Sequence, residues 1–105
     1  MAQWDVYLNP SPRMREEIPF LVDLQSDLLS ALESRFVAPL ARSRIAGGSL
    51  PRRLCPTFDI DGMTVMLLPH EAGPIDTRLL KRPVTTLRPR AHELTDALDA
   101  VISGI

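Results

Sequence analysis

The chain has 105 residues with a formal net charge of −1, and it is 45% hydrophobic and 24% charged, which is typical of one soluble globular domain spanning residues 1–105. Its 10 prolines exclude an all-helical bundle, because a proline inside a helix costs about 3 kcal/mol. The near-zero charge argues against a protein that grips DNA mainly through phosphates, since such proteins carry a basic excess.

Two strands are predicted in the N-terminal part of the chain. Trp4, Val6 and Leu8 alternate with polar or amphipathic neighbours, which is the period of a strand. Residues 9–12 (NPSP) follow it with turn chemistry. The same alternation predicts a second strand over residues 19–25.

The next apolar segments carry weaker signals. Residues 27–33 hold three leucines at helical spacing, but the run is short and is interpreted as a strand end plus a loop. Residues 36–40 favour a strand. Pro39 restricts that strand to an edge or a bulge, because proline has no backbone N–H to donate to a neighbouring strand.

A β-hairpin is the strongest local signal. Two apolar runs, residues 54–60 and 63–68, flank an Asp-Gly pair at 61–62, which favours a two-residue type I′ turn. Residues 69–74 are predicted to form a loop, and residues 82–87 a short strand. The chain is therefore expected to have five or six short strands before its C-terminal segment.

The C-terminal segment changes to a helical period. Ala91, Leu94, Leu98, Val101 and Ile105 form one stripe, which Ala97 and Ile102 widen. Gly104 stands where such a helix would end. An amphipathic helix of about 12 residues is predicted, with its stripe packed against the strands.

No metal, cofactor or catalytic site is predicted. Cys55, His70 and His92 are isolated from one another, and no phosphate-binding glycine loop or nucleophile elbow is present. Cys55 is interpreted as a small buried hydrophobe, and His70 and His92 as solvated residues. A single cysteine, no membrane-length apolar run and no export leader favour a cytoplasmic protein.

Four arginines surround a Gly-Gly loop, at positions 42, 44, 52 and 53. Exposed arginines in this arrangement could hold RNA phosphates or stabilise a developing negative charge. The alternative is a solvated loop that keeps the protein soluble, and this is the preferred interpretation.

Several segments resemble the CcdB family of toxins. Residues 20–29 (FLVDLQSDLL) resemble the second-strand region of that family, and residues 3–7, 36–41 and 54–56 fit the same register up to the terminal Gly104-Ile105. The resemblance implies an SH3-like β-barrel of the CcdB/Kid/MazF type, mainly β, with an antiparallel sheet, a small flap sheet and a C-terminal α-helix.

The resemblance also implies a function and partners. A homodimer without enzymatic activity binds the A subunit of DNA gyrase and traps gyrase on cleaved DNA. A CcdA-like antitoxin removes it, and the toxin meets DNA only indirectly, through the antitoxin complex. The family's gyrase contacts carry over by position to Leu28, Leu29, Asp99, Ile102, Ser103, Gly104 and Ile105.

This sequence departs from the family pattern at two of these contacts. Ser103 stands where a tryptophan usually stacks on a gyrase arginine, and Asp99 stands where asparagine is usual. Residues 103–105 are expected to be exposed as a binding tip; the alternative is that Ile105 closes the apolar stripe of the helix.

Two other functions compete with gyrase poisoning. The first is an endoribonuclease toxin of the MazF/Kid type, in which arginines of the 42–53 segment would bind RNA, although the N-terminal Gly-rich, Arg-Pro-containing signature is missing. The second is a non-toxic relative that binds the antitoxin only.

Overall fold

The computed structural model describes residues 2–42, 51 and 53–104. Within them the chain forms strands β1 (Asp5–Leu8), β2 (Phe20–Asp23), β3 (Ser34–Arg42), β4 (Thr57–Ile60), β5 (Met63–Leu67), β6 (Gly73–Asp76) and β7 (Thr85–Thr86), and helix α1 (Ala91–Ser103). Short 3₁₀ turns occupy Asp27–Leu29, Pro69–Glu71, Thr77–Leu79 and Arg88–Arg90.

The strands form one antiparallel sheet that curls into a nearly closed barrel. Its order is β4-β5-β3-β2-β1-β7, and β6 pairs with the first half of β3. The nine-residue β3 is the centre of this arrangement, because β2 covers one of its edges while β6 and β5 share the other. The prediction of a mainly β barrel with a C-terminal helix is confirmed.

Pro39 lies in the central strand β3, so the prediction of an edge strand is wrong. Leu24 N–H donates to the Phe36 carbonyl across the β2–β3 ladder, and by alternation the backbone of Pro39 faces the opposite edge. There Pro39 stands between the part of β3 that pairs with β6 and the part that pairs with β5. Its carbonyl accepts from Leu68 N–H at 3.0 Å, and its missing N–H costs only one bond at this junction.

The hairpin prediction is confirmed, and the loop predicted after it is partly wrong. Asp61 and Gly62 both have positive φ, 50° and 77°, as a type I′ turn requires. The segment 69–74, predicted as a loop, contains the turn Pro69–Glu71 and the start of β6. Strand β6 pairs with β3, about 40 residues earlier, a partner that no local pattern specifies.

Both faces of the sheet are buried. One face packs under the helix, where Leu94 and Ala97 of α1 meet the main core. On the other face Tyr7, Leu21, Val37 and Leu80 form a second cluster. Strand β2 is buried at all four residues for this reason, while Leu8, at the end of β1, is exposed.

Helix α1 is held at its beginning and ends at Gly104. The Arg90 guanidinium lies 4.2 Å from the centre of the Phe58 ring and donates to Glu93 Oε1 at 2.7 Å. Gly104 has φ 75° and donates its N–H to the Ala100 carbonyl, which is the left-handed helix end predicted for it. No helix in the described part of the chain is long and apolar enough to cross a membrane.

Candidate functional site

The Asp27–Leu29 turn presents two leucines to solvent. Leu28 is 94% exposed and Leu29 is 50% exposed. The sequence pattern predicts a strand end plus a loop here; strand β2 ends earlier, at Asp23, and the leucines lie on a 3₁₀ turn. Neither side chain contributes to the core, so they are free to contact a partner.

Polar side chains of the VDLQSDLL stretch hold this turn from both ends. Ser26 Oγ accepts from Leu28 N–H at 3.2 Å, and Asp27 Oδ1 accepts from Gln3 N–H at 2.8 Å. The Gln25 side chain donates to the carbonyls of Leu29 and Ser34, at 3.0 and 3.1 Å, and accepts from Phe36 N–H at 3.0 Å. The stretch by which the sequence resembles the CcdB family thus forms a set of hydrogen bonds that orients the leucines.

A buried ion pair lies beneath the turn. Asp23 and Arg35 have fully buried side chains, with Arg35 Nη2 2.6 Å and Nε 2.9 Å from Asp23 Oδ2. Asp23 Oδ1 accepts from Gln25 N–H, and Arg35 donates to the Gln25 carbonyl. Burial raises the pKa of Asp23, while the hydrogen bond from Arg35 opposes that shift. The pair fixes the backbone of Gln25, whose side chain in turn fixes the turn.

The end of helix α1 gathers three more of the predicted residues. Asp99, Ile102 and Ser103 line one cavity of about 360 Å³ together with Arg53 and Asp96. Ile102 is 85% exposed, so it does not pack with the stripe as its helical spacing predicted, and Val101 is also exposed. Both lie past the last turn that the sheet covers.

Ser103 and Gly104 close the helix. Ser103 Oγ donates to the Asp99 carbonyl at 2.7 Å, one turn earlier in the helix. Asp99, Ser103 and Gly104 are all exposed. Ile105 lies outside the described residues, so the choice between a binding tip and a packed stripe stays open for that residue.

The predicted contacts therefore lie on two elements of the chain, the leucine turn and the end of helix α1. The turn with Leu28 and Leu29 is bonded to Gln3 and Gln25. The cavities beside the helix end are lined by residues of the helix and its Gly104 cap and by Pro51, Arg53 and Leu54, without those leucines. Arg53, which sequence reasoning placed in a candidate RNA-binding cluster, lies at the helix end, because residues far apart along the chain meet there.

The other candidate residues that the structure describes take no part in either surface. Cys55 is fully buried, which raises the pKa of its thiol, and His70 and His92 are exposed. Arg42 Nε donates to the Glu16 carbonyl at 2.6 Å, a structural contact. Arg44, Arg52 and the Gly-Gly loop lie outside the described residues. Among the residues that are described, no three potential metal ligands come together.

The family described as CcdB protein matches residues 3–104, a range that includes all seven strands, the leucine turn and helix α1. The match agrees with the barrel and its C-terminal helix. The chain belongs to the CcdB family, and it is by that membership the toxin of a toxin–antitoxin system.

Proposed function

We propose that this toxin acts by binding the A subunit of DNA gyrase and trapping the cleaved gyrase–DNA complex, without catalysing a reaction itself. Its contacts are the leucine turn (Leu28 and Leu29) and the helix end (Asp99, Ile102, Ser103, Gly104 and Ile105). A CcdA-like antitoxin reverses this binding, and the exchange takes place in the cytoplasm.

One observation carries this proposal. Among the described residues, Leu28 and Ile102 are the two most exposed of the large apolar side chains, at 94% and 85%, and both stand at positions where the family contacts gyrase. An apolar side chain held on ordered backbone loses little conformational freedom on binding, so more of its contact with a partner contributes to affinity. The hydrogen bonds of Gln25 and Ser26 keep Leu28 in that orientation.

A symmetric homodimer completes the proposal. The leucine turn and the helix end are separate surfaces of one protomer, and a two-fold axis would present each of them twice to a two-fold symmetric target. Light scattering at micromolar concentration should give twice the 11.7 kDa of one chain. A mass of one chain under those conditions would contradict the dimer.

The direct test is inhibition of gyrase supercoiling by purified protein. Leu28→Ser and Ile102→Ser should each weaken inhibition by at least about tenfold, since truncating an interface anchor typically costs 1–2 kcal/mol or more. Met14→Ser is the matched control, because Met14 is a 48% exposed apolar side chain outside both surfaces. Equal loss in all three variants would contradict the proposed contacts.

Ser103 offers the converse test. The family usually places a tryptophan here to stack on a gyrase arginine, and this contact is worth about 0.5–2 kcal/mol. Ser103→Trp should therefore strengthen binding to a gyrase with that arginine by roughly tenfold, for 1.4 kcal/mol. An unchanged affinity with an intact fold would mean that this protein binds its target in another way.

The same preparation distinguishes the ribonuclease alternative. Incubation with RNA should give no sequence-dependent cleavage. Cleavage that is lost in Arg53→Ala would overturn the proposed function in favour of an endoribonuclease.

A further inference from the structure

The chain makes a strained turn just before strand β1. Asp5 N–H donates to the Ala2 carbonyl at 3.1 Å, which closes a turn over residues 2–5. Trp4, the third residue of this turn, has φ 75°, as a type II turn requires. That left-handed conformation favours glycine, and a bulky residue adopts it only where the surrounding structure enforces it.

Contacts on three sides hold Trp4 in this conformation. Its side chain is only 9% exposed and packs in the main core. Its N–H donates to the Asp23 carbonyl at 2.6 Å, and its carbonyl accepts from Leu87 N–H at 2.8 Å. The strain at Trp4 is therefore retained by contacts with the core, with the end of β2 and with the segment that precedes helix α1.

The strained turn places Gln3 against the leucine turn. Gln3 N–H donates to Asp27 Oδ1 at 2.8 Å, and its side-chain Nε2 donates to the Leu24 carbonyl at 3.0 Å. Asp27 is the first residue of the 3₁₀ turn, so both bonds lie where the chain enters it. Gln25 Nε2 bonds the other end, at the Leu29 carbonyl. Gln3 therefore holds the end of the leucine turn that Gln25 does not.

We propose that Gln3 and Trp4 are positioning residues for the contact that the leucine turn makes with its target. The left-handed backbone of Trp4 directs Gln3 to the turn, and Gln3 fixes the entry of the chain into it. Without Gln3 the two leucines would stay exposed but would sample more orientations, so binding would cost more conformational entropy. The target contact rests on the proposed function, whereas the order of the turn is measured without gyrase.

Variants of Gln3 test its bond to the Leu24 carbonyl by amide exchange. Gln3→Ala should speed exchange at Leu29 and Ser30 by about threefold to tenfold, because these two N–H groups close the turn. Gln3→Glu should have a larger effect, because a carboxylate cannot donate to the carbonyl and repels it. Exchange at Val22, inside the sheet, should stay the same in both variants. An unchanged rate at Leu29 in Gln3→Glu would overturn the proposal.

Asp27 offers a conservative rescue, measured as inhibition of gyrase supercoiling. Asp27→Ala removes the acceptor for Gln3 N–H and should weaken inhibition by about threefold to tenfold. Asp27→Asn keeps an oxygen that accepts this bond, so it should weaken inhibition clearly less. Glu17→Ala is the matched control, since Glu17 is an exposed carboxylate outside the turn. Equal losses in Asp27→Ala and Asp27→Asn, or an equal loss in Glu17→Ala, would overturn the proposal.

Two isomeric substitutions test the left-handed backbone of Trp4. Trp4→Leu and Trp4→Ile remove the same number of atoms from the core, but isoleucine is β-branched and tolerates a positive φ less well. Exchange at Leu29 should therefore be faster in Trp4→Ile than in Trp4→Leu, and equal rates would overturn the role of Trp4. Gln3 lies outside the core, so its variants decide the proposal where truncation of Trp4 unfolds the barrel. A wild type that does not inhibit gyrase would contradict the proposed function and leave the exchange results intact, so the two failures are distinguishable.

Discussion

Replacing Arg35 by methionine tests whether the buried ion pair supports the fold from which the leucine turn projects. The variant keeps most of the apolar volume of the side chain but removes both contacts with Asp23 Oδ2, the hydrogen bond from Nε at 2.9 Å and the ion-pair contact of Nη2 at 2.6 Å. Because both side chains are fully buried, Asp23 would remain as a carboxylate without its cation in a dry interior. Removing one partner of such a pair typically costs 3–5 kcal/mol, a large share of the roughly 5–15 kcal/mol of a domain.

The double variant Asp23→Leu/Arg35→Met separates the loss of the ion pair from the cost of leaving Asp23 as an unpaired buried charge. Removing both charges together leaves no uncompensated carboxylate, so the double variant should be more stable than Arg35→Met alone. Arg78→Met is the matched control for the substitution itself. Arg78 pairs with Asp76 in the same way, but its side chain is 87% exposed, and little change in stability is expected there.

The pH dependence gives the sharpest result. Burial raises the pKa of Asp23 and Arg35 lowers it, so the pKa should rise further in Arg35→Met. A carboxyl with a raised pKa in the folded state contributes its stability below the unfolded pKa and loses it as pH rises through the folded value. The deficit of Arg35→Met relative to the wild type should therefore be smaller at about pH 4 than at about pH 7.

Urea unfolding followed by circular dichroism at both pH values measures this deficit, with the wild type and Arg78→Met beside it. A deficit below about 1 kcal/mol, or one that is the same at both pH values, would refute the argument that Asp23 depends on Arg35.

Other predictions follow from single residues. Burial raises the pKa of Tyr7, the only tyrosine, to about 12, so absorbance at 295 nm should show no phenolate near pH 10, the ordinary pKa of tyrosine. The free energy of unfolding should fall by about 2–3 kcal/mol between about pH 10 and about pH 12. A titration midpoint near 10 in the folded protein would contradict this. Leu94→Ala should lower the free energy of unfolding by about 2–5 kcal/mol, because Leu94 is fully buried in the main core, and a loss under 1 kcal/mol in urea would show that the helix packs loosely. Gly104→Ala should cost about 1 kcal/mol, since φ is 75° and a Cβ would meet no other atom within 4 Å; no change would argue against the left-handed helix end. Gln25→Ala should speed amide exchange at Leu29 while the centre of the sheet stays protected, and unchanged exchange would mean that Gln25 does not hold the turn.

Local structure was predictable where one short segment determines it. The Asp61-Gly62 pair defines its own turn, and both residues adopt the positive φ that the turn requires. The C-terminal helix was predicted from a stripe that includes Leu94, and its end from Gly104. In these cases the backbone preference and the tertiary environment agree.

Pairing between distant strands was not predictable in the same way. Pro39 is unfavourable in a central strand, and it is accommodated because β5 and β6 meet β3 on either side of it. Strand β6 has the sequence GPID, which lacks an alternating pattern, and it is a strand because β3 provides a partner. A rule that considers one segment at a time interprets such residues as a loop or an edge.

The exposure of Leu28 shows why sequence reasoning alone could not locate the candidate site. Leucines at helical spacing are ordinarily interpreted as core, and only the resemblance to a family assigned them to a partner. The physical reason lies in the polar residues around them: Gln25 and Ser26 bond to the backbone of the turn, and the buried Asp23–Arg35 pair holds Gln25 in turn. A turn ordered in this way loses less conformational freedom when it binds, so more of the apolar contact contributes to affinity. The polar residues of the stretch and its leucines therefore serve one arrangement, which explains why the motif combines buried charge with exposed apolar side chains.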